Sequence, residues 1–180
     1  MFLIVGLGNP GKSYRNNRHN IGYKIIDNIR EAYDFPEFSK KFKSEFSKSE
    51  LNKNMLFLLK PTTFMNNSGI ALKEIKSFYN IDINNIYVIH DEIDLDQGRV
   101  KVKNGGGHNG HNGLKSIDKM IGKNYNRVRV GVSRPSKIYE ENIDENISNW
   151  VLSDFSSKDK WLDNTINYVS EMIISLINSQ

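Results

Sequence analysis

The chain has 180 residues, which suits one domain with one sizeable hydrophobic core and would be cramped for two. It has no cysteine, which excludes disulfide frameworks, thiolate nucleophiles and cysteine-ligated metal centres. The formal net charge of +4 permits an anionic partner without requiring one. No apolar run approaches the roughly 20 residues of a membrane span, and the N-terminus has no basic leader, so we expect a cytoplasmic protein without membrane association.

The apolar pattern predicts strands and helices in alternation along the chain. Short apolar or alternating runs predict six strands, at Phe2–Val5, Ser44–Leu51, Met55–Leu59, Ile86–Ile89, Val100–Val102 and Val128–Val132. Apolar residues at helical spacing predict four helices, marked by Ile21–Ile29, Ala71–Tyr79, Leu114–Ile121 and Leu162–Ile173. This alternation predicts an α/β fold over residues 1–180, one domain with a mostly parallel sheet. Residues 133–155 lack clear periodicity and are predicted as an exposed loop or lid.

The segment Gly6-Leu7-Gly8-Asn9-Pro10-Gly11 has the spacing of a dinucleotide-binding fingerprint directly after a strand. In that motif a helix begins at once and directs its N-terminus at the pyrophosphate. Here Pro10-Gly11 is a turn dipeptide, and the position expected for the acidic residue falls within a predicted helix. An enzyme that binds a nucleotide cofactor through Gly6–Gly11 is therefore an alternative hypothesis. The loop could instead place Asn9 and bare backbone beside a substrate, or serve only as a tight turn.

Four polar segments follow predicted strands or precede a predicted helix. They are Gly6–Gly11, Lys60–Gly69, His90–Glu92 and Gly105–Gly113. If the strands are parallel, the first three lie at the carboxyl edge of the sheet, where open α/β sheets bind ligands. The fourth is rich in glycine, which permits close backbone approach, and it leads into a helix N-terminus, which favours an anion.

His19 is the best candidate for a general base. It lies just before a predicted helix, where the positive end of the helix dipole disfavours the imidazolium form. Asp91, at a strand end, is the best carboxylate to orient that ring. Asn9, Asn66 and Asn112 would supply uncharged donors and acceptors for a polar substrate or its oxyanion. Each has a purely structural alternative, such as a cap for His19 or a turn for Asp91.

His108 and His111 form an H-x-x-H pair, which together with Asp91 could suggest a metal ion. Two imidazoles in a glycine-rich loop are geometrically free, so this indication is weak. We predict that the protein uses no metal and no other cofactor.

Basic residues surround the predicted site and suggest an RNA partner. Lys101 and Lys103 alternate with valines, so both should face one side of a short strand, and Arg134 follows the next strand. We predict that these three residues contact RNA phosphates, against the alternative of an ordinary solvated strand face. An RNA-binding module without catalysis is a further alternative function, which the presence of His19 and Asp91 disfavours.

Three groups of motifs occur in a fixed order between Met1 and Pro135. The first group consists of Gly6–Gly11, Tyr14 and Arg18–Gly22, and the second is Lys60–Gly69. The third group consists of His90–Leu95 and the glycine-rich blocks up to Ser116, and Arg127–Pro135 follows it. In this order the motifs resemble those of bacterial-type peptidyl-tRNA hydrolases. Asn17 and Ser133 depart from the pattern, where the family commonly has Thr and Gly.

The resemblance implies an enzyme that hydrolyses the ester between the peptide and the 3′-terminal ribose in peptidyl-tRNA. By motif position, His19 would be the catalytic base and Asp91 its orienting partner, while Asn9 and Asn66 would line the catalytic centre. Asn112 would help to hold the water or the substrate.

The resemblance also implies a peptide-side cleft and an architecture. Tyr14, Phe64, Met65 and Asn66 would contribute to substrate binding in that cleft. The family fold is a single α/β domain with a mixed, twisted sheet between helices, generally monomeric and without a metal or organic cofactor.

Overall fold

A computed structural model describes residues 1–135 and 142–180. The strands are β1 (Phe2–Gly6), β2 (Ser39–Lys41), β3 (Ser44–Leu51), β4 (Asn54–Pro61), β5 (Ile86–Glu92), β6 (Val100–Asn104) and β7 (Asn126–Gly131). The helices are α1 (Ile21–Ala32), α2 (Ser68–Tyr79), α3 (Asn112–Ile121), α4 (Ile143–Val151) and α5 (Leu162–Asn178). Short 3₁₀ turns at Lys12–Tyr14, Arg18–Asn20 and Met65–Asn67 lie between strand and helix, the last of them within the predicted polar segment Lys60–Gly69.

The seven strands form one sheet in the order β2-β3-β4-β1-β5-β7-β6. The central strands β4, β1, β5 and β7 pair in parallel, whereas β2–β3, β3–β4 and β6–β7 pair antiparallel. The predicted α/β class with a mixed sheet is therefore confirmed. The sheet is not mostly parallel, because three pairings at its centre are parallel and three toward its edges are antiparallel. The short connections between β2, β3 and β4 permit only antiparallel pairing. Because β1, β4 and β5 are parallel, the segments that follow them all lie at one edge of the sheet.

Helices cover both faces of the sheet and enclose two apolar clusters. On one face, α1 and α5 pack on alternate residues of the central strands, which include Ile4, Leu58 and Ile89. On the other face, α2 and α3 pack on the intervening residues, which include Val5, Leu59 and Val88. The period-2 alternation of strand side chains explains this division, because consecutive residues of a strand face opposite sides.

A close contact between two glycines places the start of α1 against the end of β1. A Cβ on Gly6 would lie 2.2 Å from the backbone oxygen of Gly22, so any larger residue would push the helix away. His19 lies in the 3₁₀ turn directly before α1. The glycine pair therefore determines how near His19 comes to the carboxyl edge of the sheet.

The predicted loop or lid over residues 133–155 is partly wrong, because Ile143–Val151 forms helix α4. Its apolar residues Ile143, Ile147 and Val151 recur every four positions, a helical pattern too short to stand out from its polar neighbours. Residues 136–141, also within the predicted loop, lie outside the described residues. The edge strand β2 was not predicted, since Ser39–Lys41 is polar and depends on pairing with β3.

In the described ranges, no helix combines the length and the apolar character that crossing a bilayer requires.

Candidate active site

His19 and Asp91 meet at the carboxyl edge of the sheet. The Nδ1 atom of His19 lies 2.7 Å from Oδ1 of Asp91, and the carboxylate side chain is only 2% exposed. An ionised carboxylate can only accept hydrogen bonds, so Nδ1 of His19 carries the hydrogen and donates a hydrogen bond to Asp91. The other ring nitrogen, Nε2, then has a free lone pair. This is the arrangement of a general base held by an orienting carboxylate.

A second imidazole binds the same carboxylate oxygen. Nε2 of His111 lies 3.0 Å from Oδ1 of Asp91, and its ring centroid is 4.9 Å from that of His19. The backbone N–H of Leu114 donates to Nδ1 of His111 at 3.4 Å, so the His111 proton resides on Nε2 and points to Asp91. Sequence reasoning considered His111 only as half of a metal pair. Its position as the N-cap of a predicted helix was the signal that could have assigned it a fixed place.

The two histidines set the charge of the site. Burial alone would raise the pKa of Asp91, but the neighbouring His19 and His111 outweigh burial and hold the pKa well below its usual range. The carboxylate is therefore ionised throughout the physiological range. It can stabilise an imidazolium that forms transiently on His19.

His90, one position before Asp91, is wholly buried and neutral. Burial lowers its pKa to about 3, and the nearby His111 contributes to the shift. Its Nδ1 donates to the backbone oxygen of Asp91 at 2.7 Å, and its ring packs edge-on against His111 with centroids 5.0 Å apart. Its Nε2 has no hydrogen-bond partner among the described residues. His90 thus contacts both partners of the Asp91–His111 pair, through a hydrogen bond to the backbone of Asp91 and through ring packing on His111.

Asn9 is held in a single orientation by three hydrogen bonds. Its side-chain Oδ1 accepts the backbone N–H of Met65 at 2.8 Å. Its own backbone exchanges two hydrogen bonds with the side chain of Asn20, at 3.0 and 2.9 Å. The bond from Met65 fixes the orientation of the amide, so the Nδ2 group of Asn9 lies at a defined position as a donor. A neutral donor at a known position is what an oxyanion requires.

A cleft of about 800 Å³ opens beside these groups. It brings together His19 and Asp91 with all the residues that were predicted to bind substrate or line the centre: Asn9, Tyr14, Phe64, Met65, Asn66 and Asn112. One further wall consists of residues that sequence reasoning missed, from α4 and the position after it: Asp144, Ile147, Ser148, Val151 and Leu152. The cleft is therefore polar at the His19 end, and its α4 wall combines the apolar side chains of Ile147, Val151 and Leu152 with the polar ones of Asp144 and Ser148.

Phe64 and Tyr14 form an aromatic pair at this cleft. Their ring centroids lie 6.2 Å apart with planes at 84°, the edge-to-face arrangement that aromatic rings prefer. Phe64 has a positive φ of 57°, unfavourable for a bulky residue, and its side chain is exposed. Such strain persists only where the surrounding structure imposes it, and it collects at functional sites.

Asn66 and Asn112 line the same cleft from different elements. Asn66 lies in the 3₁₀ turn Met65–Asn67 and is exposed, and Asn112 is the first residue of α3. Within residues 1–135 and 142–180, neither side-chain amide has a hydrogen-bond partner. Both are thus free to bind a ligand.

The geometry agrees with what comparison with known proteins finds. The family model for peptidyl-tRNA hydrolase matches residues 3–180. Over 178 residues the chain is 48% identical to a peptidyl-tRNA hydrolase of Bartonella henselae, covering 98% of this chain and 89% of that protein. It is also 49% identical over 158 residues to one of Rickettsia bellii, covering 87% and 82%. The chain belongs to the peptidyl-tRNA hydrolase family.

The fold agrees with that of a solved family member. The crystal structure of peptidyl-tRNA hydrolase from Acinetobacter baumannii superposes with a TM-score of 0.90 at 34% identity, covering 100% of this chain and 90% of that one. The resemblance that the motifs indicated is therefore confirmed.

The Gly6–Gly11 loop does not have the geometry of a dinucleotide-binding turn. The chain runs from this loop into a 3₁₀ turn at Lys12–Tyr14, and helix α1 begins only at Ile21. The helix that follows this loop therefore does not begin directly after it, as the fingerprint requires. The glycines instead serve close packing, since a Cβ on Gly8 would lie 2.6 Å from the ring of Tyr23.

Lys101 and Lys103 lie on the exposed strand β6. They pair in register with Arg129 and Arg127 of β7, so all four side chains share the α3 face of the sheet. Arg127 is buried and structural: it donates to the backbone oxygen of Gly107 at 2.7 Å and so holds the glycine-rich loop. The two lysines form the exposed part of this basic strip.

Arg134 lies apart from that strip. It follows β7 and makes an ion pair with Asp94, with Nη2 and Oδ1 2.7 Å apart. Its side chain is 47% exposed, so this pairing is weak and leaves the cation accessible.

The H-x-x-H pair does not form a joint ligand set. Nδ1 of His108 accepts the backbone N–H of Gly110 at 3.1 Å, whereas His111 turns to Asp91. The group of potential metal ligands among the described residues is instead His19, Asp91 and His111, with ligand atoms within 4.8 Å of one another. Their nitrogens already donate to the carboxylate, so a metal would have to displace both protons. The absence of a metal requirement stays a prediction.

Proposed function

We propose that this chain hydrolyses the ester that joins the peptide to tRNA in peptidyl-tRNA, with His19 as the general base that activates water. Membership of the peptidyl-tRNA hydrolase family carries the reaction class. The observation that carries the mechanism is the 2.7 Å contact between His19 and Asp91 at the end of a substrate-sized cleft.

In the proposed reaction, Nε2 of His19 takes a proton from a water molecule as its oxygen attacks the ester carbonyl. Asp91 stabilises the imidazolium that results. The tetrahedral intermediate then collapses: the bond between the carbonyl carbon and the ribose oxygen breaks, and the ribose oxygen receives the proton from His19. The products are a peptide with a free carboxylate and a tRNA with a free hydroxyl. A positioned base of this kind contributes typically about 10²–10⁴-fold to the rate.

The asparagines are the proposed donors to the developing oxyanion and to the polar backbone of the peptide. Asn9 would donate through its Nδ2 group, which the hydrogen bond from Met65 to its oxygen holds in one orientation. Asn66 and Asn112 face the same cleft with unpaired amides. An ester is easier to cleave than an amide, so a base, an oriented water and one or two such donors suffice.

Tyr14, Phe64 and Met65 are proposed to contact the peptide, and Lys101, Lys103 and Arg134 the phosphates of the tRNA. The lysines stand on an exposed strand that leads into the glycine-rich loop and α3, so tRNA bound there would reach the cleft from the β6 side. We further propose that the chain acts in the cytoplasm as a single-domain monomer without a cofactor.

The proposed function is tested by following ester loss from tRNA charged with an N-acetylated amino acid and, in parallel, from tRNA charged with the free amino acid. We expect rapid loss of the acetylated ester only. His19→Ala is the control for the chemistry. RNA binding without hydrolysis of either substrate would contradict the proposal and favour a non-catalytic RNA-binding module.

A further inference from the structure

The side chain of Arg18, immediately before His19, is buried against the segment that follows helix α4. Its Nη1 atom donates to the backbone oxygen of Asp154 at 2.6 Å and to Oγ of Ser153 at 2.9 Å. Its Nη2 atom lies 3.4 Å from the carboxylate of Asp159, and the two side chains are 8% and 6% exposed. A cation this far from water is stable only with such a set of acceptors.

Aromatic rings complete the enclosure of Arg18. The guanidinium carbon lies 4.0 Å from the ring centroid of Trp150, the residue before the last of α4, and 5.4 Å from that of Phe155. Trp150 is itself tied down, because its Nε1 donates to the backbone oxygen of Ser133 at 2.7 Å. The planar guanidinium can stack flat on an indole ring, whereas the ammonium group of a lysine is a compact charge that cannot.

The backbones of the two segments also run side by side. The N–H of Arg18 donates to the oxygen of Ser153 at 3.0 Å, and the N–H of Phe155 donates to the oxygen of Asn16 at 2.8 Å. Between them, Nδ2 of Asn17 donates to Oδ1 of Asp154 at 2.7 Å. Asn17 is one of the two positions where this chain departs from the common motif. The turn that carries His19 is therefore joined directly to residues 153–155.

Helix α4 is at the same time a wall of the substrate cleft. Ile147, Val151 and Leu152 line the cleft into which His19 also faces. The cleft thus has residues of α4 and the base His19 among its lining. Arg18 connects these two parts of the lining, since its backbone precedes His19 and its side chain stacks on Trp150 of α4.

We infer that Arg18 is a positioning residue that couples the α4 wall of the peptide cleft to the placement of the base His19. This inference rests on the proposed function of His19. Arg18 does not touch the substrate: its role is to keep α4 and the 3₁₀ turn Arg18–Asn20 at one separation, so that a peptide seated on α4 presents its ester to His19.

Arg18→Lys tests this inference, because lysine keeps the charge but cannot stack and donate to several acceptors in one plane. We expect kcat on peptidyl-tRNA to fall by about 10- to 100-fold, the effect of a small displacement of a catalytic group. KM should rise, while the inhibition constant of uncharged tRNA stays unchanged because the tRNA surface is elsewhere. Arg30→Lys is the matched control, since Arg30 of α1 pairs with the exposed carboxylates of Glu31 and Glu37.

Trp150→Leu approaches the same contact from the other side. It should raise KM with a smaller loss of kcat, and its effect should not add to that of Arg18→Lys, because the two residues share one contact. Thermal unfolding checks that each variant is folded at the assay temperature. If Arg18→Lys does not fold, Ser153→Ala, which removes only one acceptor of Arg18, should shift kcat and KM in the same directions.

Three results would overturn the inference: unchanged kcat and KM in folded Arg18→Lys, strict additivity with Trp150→Leu, or an equal change in the inhibition constant of uncharged tRNA. They differ from a failure of the proposed function, in which the unmodified chain and Arg30→Lys would both fail to hydrolyse peptidyl-tRNA.

Discussion

Asp91 accepts a hydrogen bond from His111 at 3.0 Å through the oxygen that also accepts the N–H of His19 at 2.7 Å. One carboxylate oxygen thus orients two imidazoles. His111 occupies part of the hydrogen-bonding capacity of Asp91 and prevents the carboxylate from rotating away from His19. The shorter of the two bonds goes to His19, the residue with a free nitrogen toward the cleft.

The His19–Asp91 pair leads to a graded prediction. His19→Ala should lower kcat by about 10²–10⁴-fold, because the base is lost, while tRNA binding and folding stay nearly intact. Asp91→Asn should lower kcat by a smaller factor, since an amide oxygen still accepts from both rings but does not stabilise the imidazolium. Asp82→Asn, an exposed cap far from the cleft, is the control. Near-normal turnover by His19→Ala would refute the mechanism.

Asn9 is predicted to serve both stability and chemistry. Asn9→Ala leaves the buried N–H of Met65 without its 2.8 Å acceptor, so the free energy of unfolding should fall by about 1–3 kcal/mol. Loss of the Nδ2 donor should also lower kcat by about 10²–10³-fold if it contacts the oxyanion. Urea unfolding and steady-state kinetics measure the two effects separately. Asn28→Ala, which breaks an exposed hydrogen bond with Asn167, should change neither measurably.

The free energy of unfolding should decrease as the pH falls below about 6.5. In that range His90 becomes protonated in the unfolded chain but stays neutral in the folded protein. The folded pKa of His90 is lowered to about 3 from 6.5, so its contribution to stability is complete above 6.5 and is lost progressively as the pH falls toward the folded value. The pKa of Asp91 is also lowered, and its contribution is lost only in stronger acid, below its unfolded value of 3.8.

Urea unfolding between pH 7.5 and 4.5 measures this effect. The unmodified chain should lose up to about 1 kcal/mol per pH unit more than His90→Gln, which has no titrating ring. His108→Gln, in an exposed loop, should retain the dependence of the unmodified chain. Equal slopes for the unmodified chain and His90→Gln would mean that His90 is not held neutral.

Removal of metal ions should leave hydrolysis unchanged. In the described structure both histidine nitrogens near Asp91 hold protons that point at its oxygen, an arrangement that works without a metal. Activity before and after exhaustive chelation, together with elemental analysis of the purified protein, tests this expectation. A loss of rate after EDTA treatment that zinc restores would point to a metallohydrolase built on His19, Asp91 and His111.

Lys101 and Lys103 are predicted to bind tRNA through phosphates. Replacing both with Ala should raise KM for peptidyl-tRNA and reduce the log–log salt slope by about 0.7–0.9 for each phosphate that the protein no longer neutralises. Cleavage of a peptide esterified to a short 3′ fragment should hardly change. Lys48→Ala with Lys53→Ala, which removes two exposed lysines from the β3–β4 hairpin, is the matched control. An unaltered salt slope would leave Lys101 and Lys103 as ordinary surface residues.

The local features of the fold were predictable because they depend on short-range patterns. β1 and β5 contain short continuous apolar runs typical of buried strands, and the turn at Asn52–Asn54 marks the β3–β4 hairpin. The amphipathic helices reflect a period of 3.6 residues. Helix α4 was missed because its apolar face is only three residues long, and β2 because a polar edge strand has no pattern of its own. Strand β2 forms only because it pairs with β3 through backbone hydrogen bonds.

Residue order and motif spacing were enough to establish the fold class, the family and a group of candidate residues that share one cleft. His19 and Asp91 could be paired in advance because each stands at the end of a predicted element, and parallel strands bring such ends to one edge. That His111 shares the carboxylate, and that Arg18 ties the base to α4, became visible only in three dimensions. These contacts join residues 20 and more than 130 positions apart. Side-chain direction at such separations depends on how helices and strands pack, which no local pattern encodes.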